Sequence, residues 1–383
     1  MIIGINAAAA LKHPRTGVEE YTYQLVKHLT MLPEAREHRF LLYVPGTNTR
    51  ISTNDTKNNY FDFFLPSNFE IKILRWPLPF LWTQIRLALE VFFRKTEVLF
   101  IPVHVLPFFH PKNSVVTIHG LEYEYFPRHY SFFRCWYLKR STKRALKRAR
   151  KIIAVSENTK QDLIKLYGTP AEKIEVVRHG VSVCHFGESQ NLDPERSGCR
   201  VKPGMTMKVD EPYLLYLGRL ETKKNVQGIL EAYRILKEKD NVPHQLVLAG
   251  ARGFGYKNLK FKIENYKLKI KELGYVGEEE KWQLLANADI FLFPSFCEGF
   301  GLPVLEAQTA GTPVITSNNS CLPEVAGKGA LFVDPRRPEQ IAEAAKSIID
   351  DKNLRDKLRQ LGYENVKRFG WEKCARETLN VLK

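Results

Sequence analysis

No CxxC pair, no cysteine with a histidine at metal-ligand spacing and no apolar run of membrane-spanning length occurs in the 383 residues. The six cysteines, Cys135, Cys184, Cys199, Cys297, Cys321 and Cys374, are scattered singly, which argues against a zinc site or a disulfide framework as the organising device. A spanning helix needs roughly 18 or more consecutive apolar residues. The opening MIIGINAAAA also lacks the basic flank of a signal peptide, so the expectation is a soluble, cytoplasmic protein. Acidic residues are in deficit: 58 Lys and Arg against 42 Asp and Glu leave a net charge of +16. That balance points to an anionic partner, whether a phosphorylated small molecule, a lipid headgroup surface or a nucleic acid. No recognised nucleic-acid motif accompanies the charge, which places nucleic acid last.

The composition is that of a globular protein, and the length is enough for two domains with separate cores. Short aliphatic runs at 1–5, 40–44, 98–103, 114–118 and 152–155 alternate with helical patterns, the rhythm of a parallel α/β sheet. Residues 48–59 read as a polar surface loop. After Ser156, which can cap a helix, a periodic segment runs to Gly168, which can end it. Residues 179–212 lose periodicity and carry the composition of a domain connection. A second βα series starts at 213–217 and continues through strands at 246–249 and 290–293, then helical patterns at 338–350, 353–369 and 371–382.

In such sheets ligands bind at the carboxyl ends of strands. Four stretches fall there. Thr16-Gly17 precedes the first helix, and His119-Gly120 closes the strand at 114–118. Gly218-Arg219, with Lys223 and Lys224, stands between a strand end and a helix start, where free backbone N–H groups already favour an anion. The fourth, FCEGFGLPVLEA at 296–307, follows a buried strand and opens a helix near Pro303, with Glu298 on the loop and Glu306 in the first helical turn. Gly250, in GARGFG, and Val276 lie at the same edge, Val276 where a flat base can approach. Cys297 can be read as a nucleophile or as a buried cysteine.

Two segments carry no catalytic pattern. In 75–95, Leu81, Ile85, Ala88, Leu89 and Phe92 recur at helical spacing and imply an apolar face, with Trp76, Phe80 and Trp82 crowding its start. These aromatics serve either core packing or an acceptor or membrane surface. In 132–151, Lys139, Lys143 and Lys147 form one helical column and Arg140, Arg144 and Arg148 the next, with Phe132, Phe133 and Trp136 at the start. The alternatives there are a solvated face and an anionic membrane contact.

With GRLETKKN, AGARGFG and CEGFGLPVLEA in that order, and TIHGLEYEYFP and IIAVSENTKQDL before them, the chain resembles the family-4 retaining glycosyltransferases of the GT-B fold, close to bacterial mannosyltransferases. The resemblance implies two Rossmann-like α/β/α domains facing across a donor-binding cleft. It implies an acceptor-binding domain at 1–185, a linker at 186–211, a nucleotide-sugar domain at 212–365, and a C-terminal helix at 366–383 packing back on the first domain. It implies that Arg219 and Lys224 hold a donor diphosphate, that Glu306 meets the ribose and Glu298 the transferred sugar, and that the backbone at Phe300, Gly301 and Leu302, with Gly250 and Val276, lines the donor site. Gly17 would face the diphosphate and His119 the sugar near its reacting carbon. Trp82, Trp136, Lys139, Arg140, Lys143 and Arg144 would face the acceptor or membrane. No cofactor is implied, and no metal, since no Asp-x-Asp motif is present; the donor would be GDP-mannose or a UDP-sugar. Gly120, His179 and Ser182 depart from the common pattern of the family. The competing readings are a nucleotide-sugar epimerase of the same fold and a non-catalytic polyanion binder.

Overall fold

The structure is a computed structural model that describes residues 1–46, 60–78, 81–94, 96–182 and 211–383. The expected loop at 48–59, nearly all of the expected linker, and Phe80, Cys184 and Cys199 lie outside the described residues. The chain divides into two compact units, Met1–Gly180 with Gly370–Lys383, and Val181–Phe369.

The first unit is a seven-stranded parallel sheet. Its strands are β1 (Ile2–Asn6), β2 (Arg39–Pro45), β3 (Phe69–Leu74), β4 (Val98–Ile101), β5 (Ser114–Ile118), β6 (Lys151–Ala154) and β7 (Ile174–Val176). They lie in the order β3-β2-β1-β4-β5-β6-β7. The helices are α1 (Gly17–Met31), α2 (Ala88–Phe93), α3 (Glu122–Tyr125), α4 (Phe132–Arg148) and α5 (Glu157–Tyr167). Ser156 caps α5 by accepting from the Thr159 amide, and Gly168, at φ 62°, ends it. A sheet covered on both faces needs strands apolar on both faces, and β4 and β5 are buried at every residue.

The second unit has β8 (Tyr213–Leu217), β9 (Gln245–Ala249), β10 (Ile270–Gly274), β11 (Ile290–Phe293), β12 (Val314–Ser317) and β13 (Ala330–Val333), ordered β10-β9-β8-β11-β12-β13. Its helices are α6 (Val226–Asp240), α7 (Tyr256–Tyr266), α8 (Glu278–Asn287), α9 (Leu302–Thr309), α10 (Leu322–Ala326), α11 (Pro338–Asp350) and α12 (Lys352–Val366). A last helix, α13 (Trp371–Leu382), returns to the first unit, where Trp371, Cys374, Ala375, Leu379 and Leu382 join the core against α1.

In each sheet the strand order reverses once, between β1 and β4 and between β8 and β11. The crevice above such a reversal, at the carboxyl ends, is where ligands bind in doubly wound sheets. The loops after β1 and β4, and after β8 and β11, are thereby singled out by topology alone.

The segment before β4 corrects the sequence expectation. Trp82–Leu87 is a π-turn that starts from a left-handed Leu81 at φ 64°, and the face buried along it and α2 is Gln84, Leu87, Ala88, Glu90 and Val91. Leu81, Leu89 and Phe92 are exposed. Gln84 Nε2 donates to the Leu106 carbonyl at 3.2 Å, which offsets part of the cost of burying the amide, while its Oε1 has no partner among the described residues. Hydrophobic periodicity does not register that compensation.

Candidate active site

The second unit gathers its charges at the switch point. The loop after β8 carries Arg219, then a short turn at Thr222–Lys224, then Asn225, which caps α6 by accepting from the Gly228 amide at 3.2 Å. The Asn225 side chain also donates to the Pro335 carbonyl at 2.6 Å, so the lysine before it is held from two sides. The loop after β11 carries Glu298. Lys224 Nζ lies 2.5 Å from Glu298 Oε1 and 2.6 Å from Oε2, joining the two loops across the reversal of strand order. Both side chains are largely shielded, at 17% and 7% exposure.

The Glu298 loop is fixed from a third strand. Ser320, beyond β12, receives a hydrogen bond from the Glu298 amide at 3.1 Å and donates one to its carbonyl at 2.7 Å. Cys321 donates to the carbonyls of Glu298 and Phe300 at 3.3 and 3.1 Å, and burial pushes its thiol well above the usual range. Phe300 is buried and packs edge-on against Phe369, so its side chain anchors the loop while its backbone faces the helix start. Gly301, at φ 96°, precedes α9, whose first amides have no partner within the helix.

Glu306 lies in the second turn of α9, not the first, so it does not cap that helix. It binds Lys281 of α8 at 2.7 Å, and Lys281 also reaches Glu278 at 2.7 Å. The two carboxylates hold the Lys281 ammonium well above its ordinary range although burial works the other way. Lys281 had no sequence signal beyond being the one cation after three glutamates in GEEEKW. Ser320 was equally hidden in SNNS.

Arg219 is exposed on the same loop as Lys224. Gly250 has a structural reason of its own: a Cβ there would stand 1.9 Å from the Gly218 carbonyl oxygen, so glycine is required for the β8 and β9 loops to approach. Val276 is partly buried between β10 and α8, with Gly277 capping α8. Among the described residues no three His, Cys, Asp or Glu side chains form a group able to hold a metal ion.

The first unit builds its carboxyl edge differently. Gly17 is the first residue of α1, behind a Thr16–Glu19 capping box, with open space where a Cβ would project. His119, after β5, gives its Nε2 proton to the Pro102 carbonyl at 2.6 Å, which leaves Nδ1 as an acceptor with no partner among the described residues. Burial holds its pKa down at about 3, so the ring is neutral. His104, after β4, faces it at 5.7 Å between ring centroids and is held at about 4 by burial. His179 lies at 5.4 Å from His119 and stacks on Tyr21 at 4.6 Å. His104 follows a switch-point strand, and no glycine or charge in the sequence marks it.

The expected cationic face of α4 is reduced. Lys139 pairs with Glu124 at 2.6 Å. Arg144 donates to the carbonyls of Pro107 and Phe108 at 3.2 and 2.7 Å and lies over the Phe108 ring. Both are bound to their own unit rather than presented outward. Trp82 is half-buried and donates to the Leu74 carbonyl at 3.0 Å. Trp136 is 55% exposed with Arg140 over its ring, and Lys143 is exposed beside them.

Two doubly wound units of this kind define the GT-B class of glycosyltransferase. Sucrose-phosphate synthase from Thermosynechococcus elongatus matches 99% of this chain and 98% of its own at a TM-score of 0.72 with 18% identity. WaaG, a glycosyltransferase involved in lipopolysaccharide biosynthesis, matches all of both chains at 0.68 with 16% identity. At such identities the likeness concerns the fold. In sequence, residues 15–183 match the Glycosyltransferase Family 4 model and residues 203–365 match the model for Glycosyl transferases group 1. O-antigen chain mannosyltransferase B of Escherichia coli is 29% identical over 99% of both chains. The chain belongs to the glycosyltransferases built from a family 4 domain followed by a group 1 domain.

Proposed function

We propose that the chain is a retaining, metal-independent hexosyltransferase. It moves mannose by first preference, or a glucose-type sugar, from a nucleoside diphosphate to a glycan or lipid-linked acceptor of a surface polysaccharide. The full-length likeness to an O-antigen mannosyltransferase supports the sugar and the pathway class. GDP-mannose is the donor this reading puts first, with UDP-sugars next. The observation that carries the reading is the Lys224–Glu298 pair bridging the two switch-point loops of the second unit.

Because that pair is neutral as a whole, the charge for a diphosphate comes from Arg219 and from the helix N-termini of α6 and α9, with the remaining N–H of Lys224 as a directed donor. Held on both oxygens by Lys224, Glu298 is better suited to receive a sugar hydroxyl than to attack carbon. Glu306, fixed on one side by Lys281, keeps acceptor positions for ribose hydroxyls. His119 Nδ1 accepts from a sugar hydroxyl as a neutral ring. In the transfer, the bond from C1 to the diphosphate oxygen breaks and the acceptor oxygen bonds to C1 on the same face. The acceptor's proton passes to the departing phosphate oxygen. Cations placed before the reaction stabilise that leaving charge. The N-terminal end of α4 lies at the carboxyl edge of its sheet, and the exposed side that runs from there through Trp136, Arg140 and Lys143 is the acceptor-side surface.

The test is nucleoside diphosphate release from GDP-mannose with and without a glycan acceptor, and the anomeric configuration of the product. Arg219→Ala, Lys224→Ala and Glu306→Ala each lower release about tenfold or more, since a charge-assisted hydrogen bond contributes roughly 1.5–3 kcal/mol. Undiminished turnover in all three variants would remove the donor-site reading, and an inverted anomer would remove retention. An epimerised donor without nucleotide release would indicate the isomerase instead.

A further inference from the structure

A row of side chains at the end of one strand holds the loop that follows its neighbour. β11 and β12 pair as far as Phe293 and Thr316. Beyond that point side-chain donors take over: Thr316 donates to the Phe293 carbonyl at 2.9 Å, Ser317 to the Ser295 carbonyl at 2.6 Å, and Ser320 to the Glu298 carbonyl at 2.7 Å. Cys321 continues the row to the carbonyls of Glu298 and Phe300.

Ser320 stands apart from the others in two respects. Its hydroxyl also accepts from the Glu298 amide at 3.1 Å, so both backbone polar groups of Glu298 end on one side chain. Its own backbone is left-handed, at φ 57°, a conformation that costs a residue with a Cβ and persists where its surroundings over-determine it. Glycine would take that conformation freely but would hold neither polar group of Glu298. With its amide spent on Ser320, Glu298 offers a ligand only its carboxylate, and that carboxylate is the one paired with Lys224. Glu306 lies outside the clasp, since its carboxylate is set by Lys281 of α8.

We propose that Ser320 is a positioning residue for sugar transfer: its hydroxyl sets the Glu298 carboxylate against the transferred hexose and leaves the hold on the nucleoside diphosphate to other groups. The proposal rests on the reading of Glu298 as the group that meets that sugar. A clasp serving the fold alone would show its loss in the melt. A clasp serving the carboxylate shows its loss in turnover.

Ser320→Gly and Ser320→Ala both delete the hydroxyl, but only glycine accepts the left-handed backbone without cost. Each lowers kcat for GDP release from GDP-mannose in the presence of a glycan acceptor by about tenfold or more, the effect of two lost hydrogen bonds and a displaced group. The Kd for GDP, read by calorimetry, stays within about twofold, because Arg219 and Glu306 are untouched. In a thermal melt Ser320→Ala unfolds below Ser320→Gly, so turnover follows the hydroxyl while the melt follows the backbone. In a Glu298→Gln background, Ser320→Gly adds less than about twofold to the loss, since residues that act as a unit are not additive. Full turnover in Ser320→Gly, a loss of GDP affinity as large as the loss of kcat, or a further loss of about tenfold in the Glu298→Gln background would each overturn the proposal and leave the donor-site reading standing. Full turnover in Glu298→Gln would remove that reading, and the proposal with it.

Discussion

The two units share one sheet plan and treat its carboxyl edge in opposite ways. The second unit lines that edge with lysine–carboxylate pairs, Lys224–Glu298 and Lys281–Glu306. The first packs it with rings: His104, His119 and His179 against Tyr21, with Trp371 beyond them at 6.1 Å from His179. Burial lowers the pKa of all three histidines, so the ring cluster itself carries no charge near neutral pH. The charged loops of the second unit suit an anion, the ring cluster of the first uncharged hydroxyls. The same topology therefore supplies two kinds of wall, and the difference resides in a few loop residues.

The largest expected effect uses pH to break the ring-lined edge. For a histidine whose folded pKa is depressed, the unfolded chain binds more protons between the two values, so stability is present above about pH 6.5 and is lost as pH falls toward the folded value. With His119 at about 3 and His104 at about 4, that window runs from about 6.5 down to about 3. Moving from about pH 7.5 to about 5.5 then costs on the order of 3 kcal/mol for His104 and His119 together. Urea midpoints at the two pH values measure it, and His104→Gln reduces the difference by about half. A pH-independent midpoint would show that the cluster accepts protons when folded. Glu122, whose charge favours protonation of His104 and His119, works in that direction as the smaller influence.

The next effect breaks the charged edge. Lys224→Ala leaves Glu298, only 7% exposed, without its counter-charge, and destabilises the protein by about 3 kcal/mol, the usual cost of stranding a buried ion. The double variant Lys224→Met/Glu298→Gln recovers most of that stability in a thermal melt while donor turnover stays low. Recovery of turnover along with stability would mean the pair serves folding alone.

Much of this was legible in the residues. The strand–loop–helix order around Glu298 and Glu306 is local, and a buried strand followed by glycines and a proline reads the same in sequence and in structure. The strand β10, IKELG, was not legible, because it is a sheet edge with no buried run to betray it. Lys281 and Ser320 were not legible either: each acts on a carboxylate or a loop 22 to 25 residues away, and a pairing across elements leaves no periodic trace. The α4 cations show the converse failure. Spacing placed Lys139 and Arg144 on one outward face with the others, but Glu124 and the carbonyls of Pro107 and Phe108 draw them inward.

That correction yields the smallest effect. Lys139 is 40% exposed and Glu124 19%, a geometry in which water screens much of the attraction. Lys139→Ala therefore costs under about 1 kcal/mol in a thermal melt, in the range of half-exposed pairs. It also removes little from any membrane or acceptor contact, because the ammonium is already engaged. Lys143→Ala, on an exposed position of the same column, has the reverse profile: no shift in the melt, and a larger loss of transfer to the acceptor, the contact proposed for this face. If the two variants instead behave alike in both measurements, the column of like charges acts as a single outward face and the Glu124 contact does not hold Lys139 in solution.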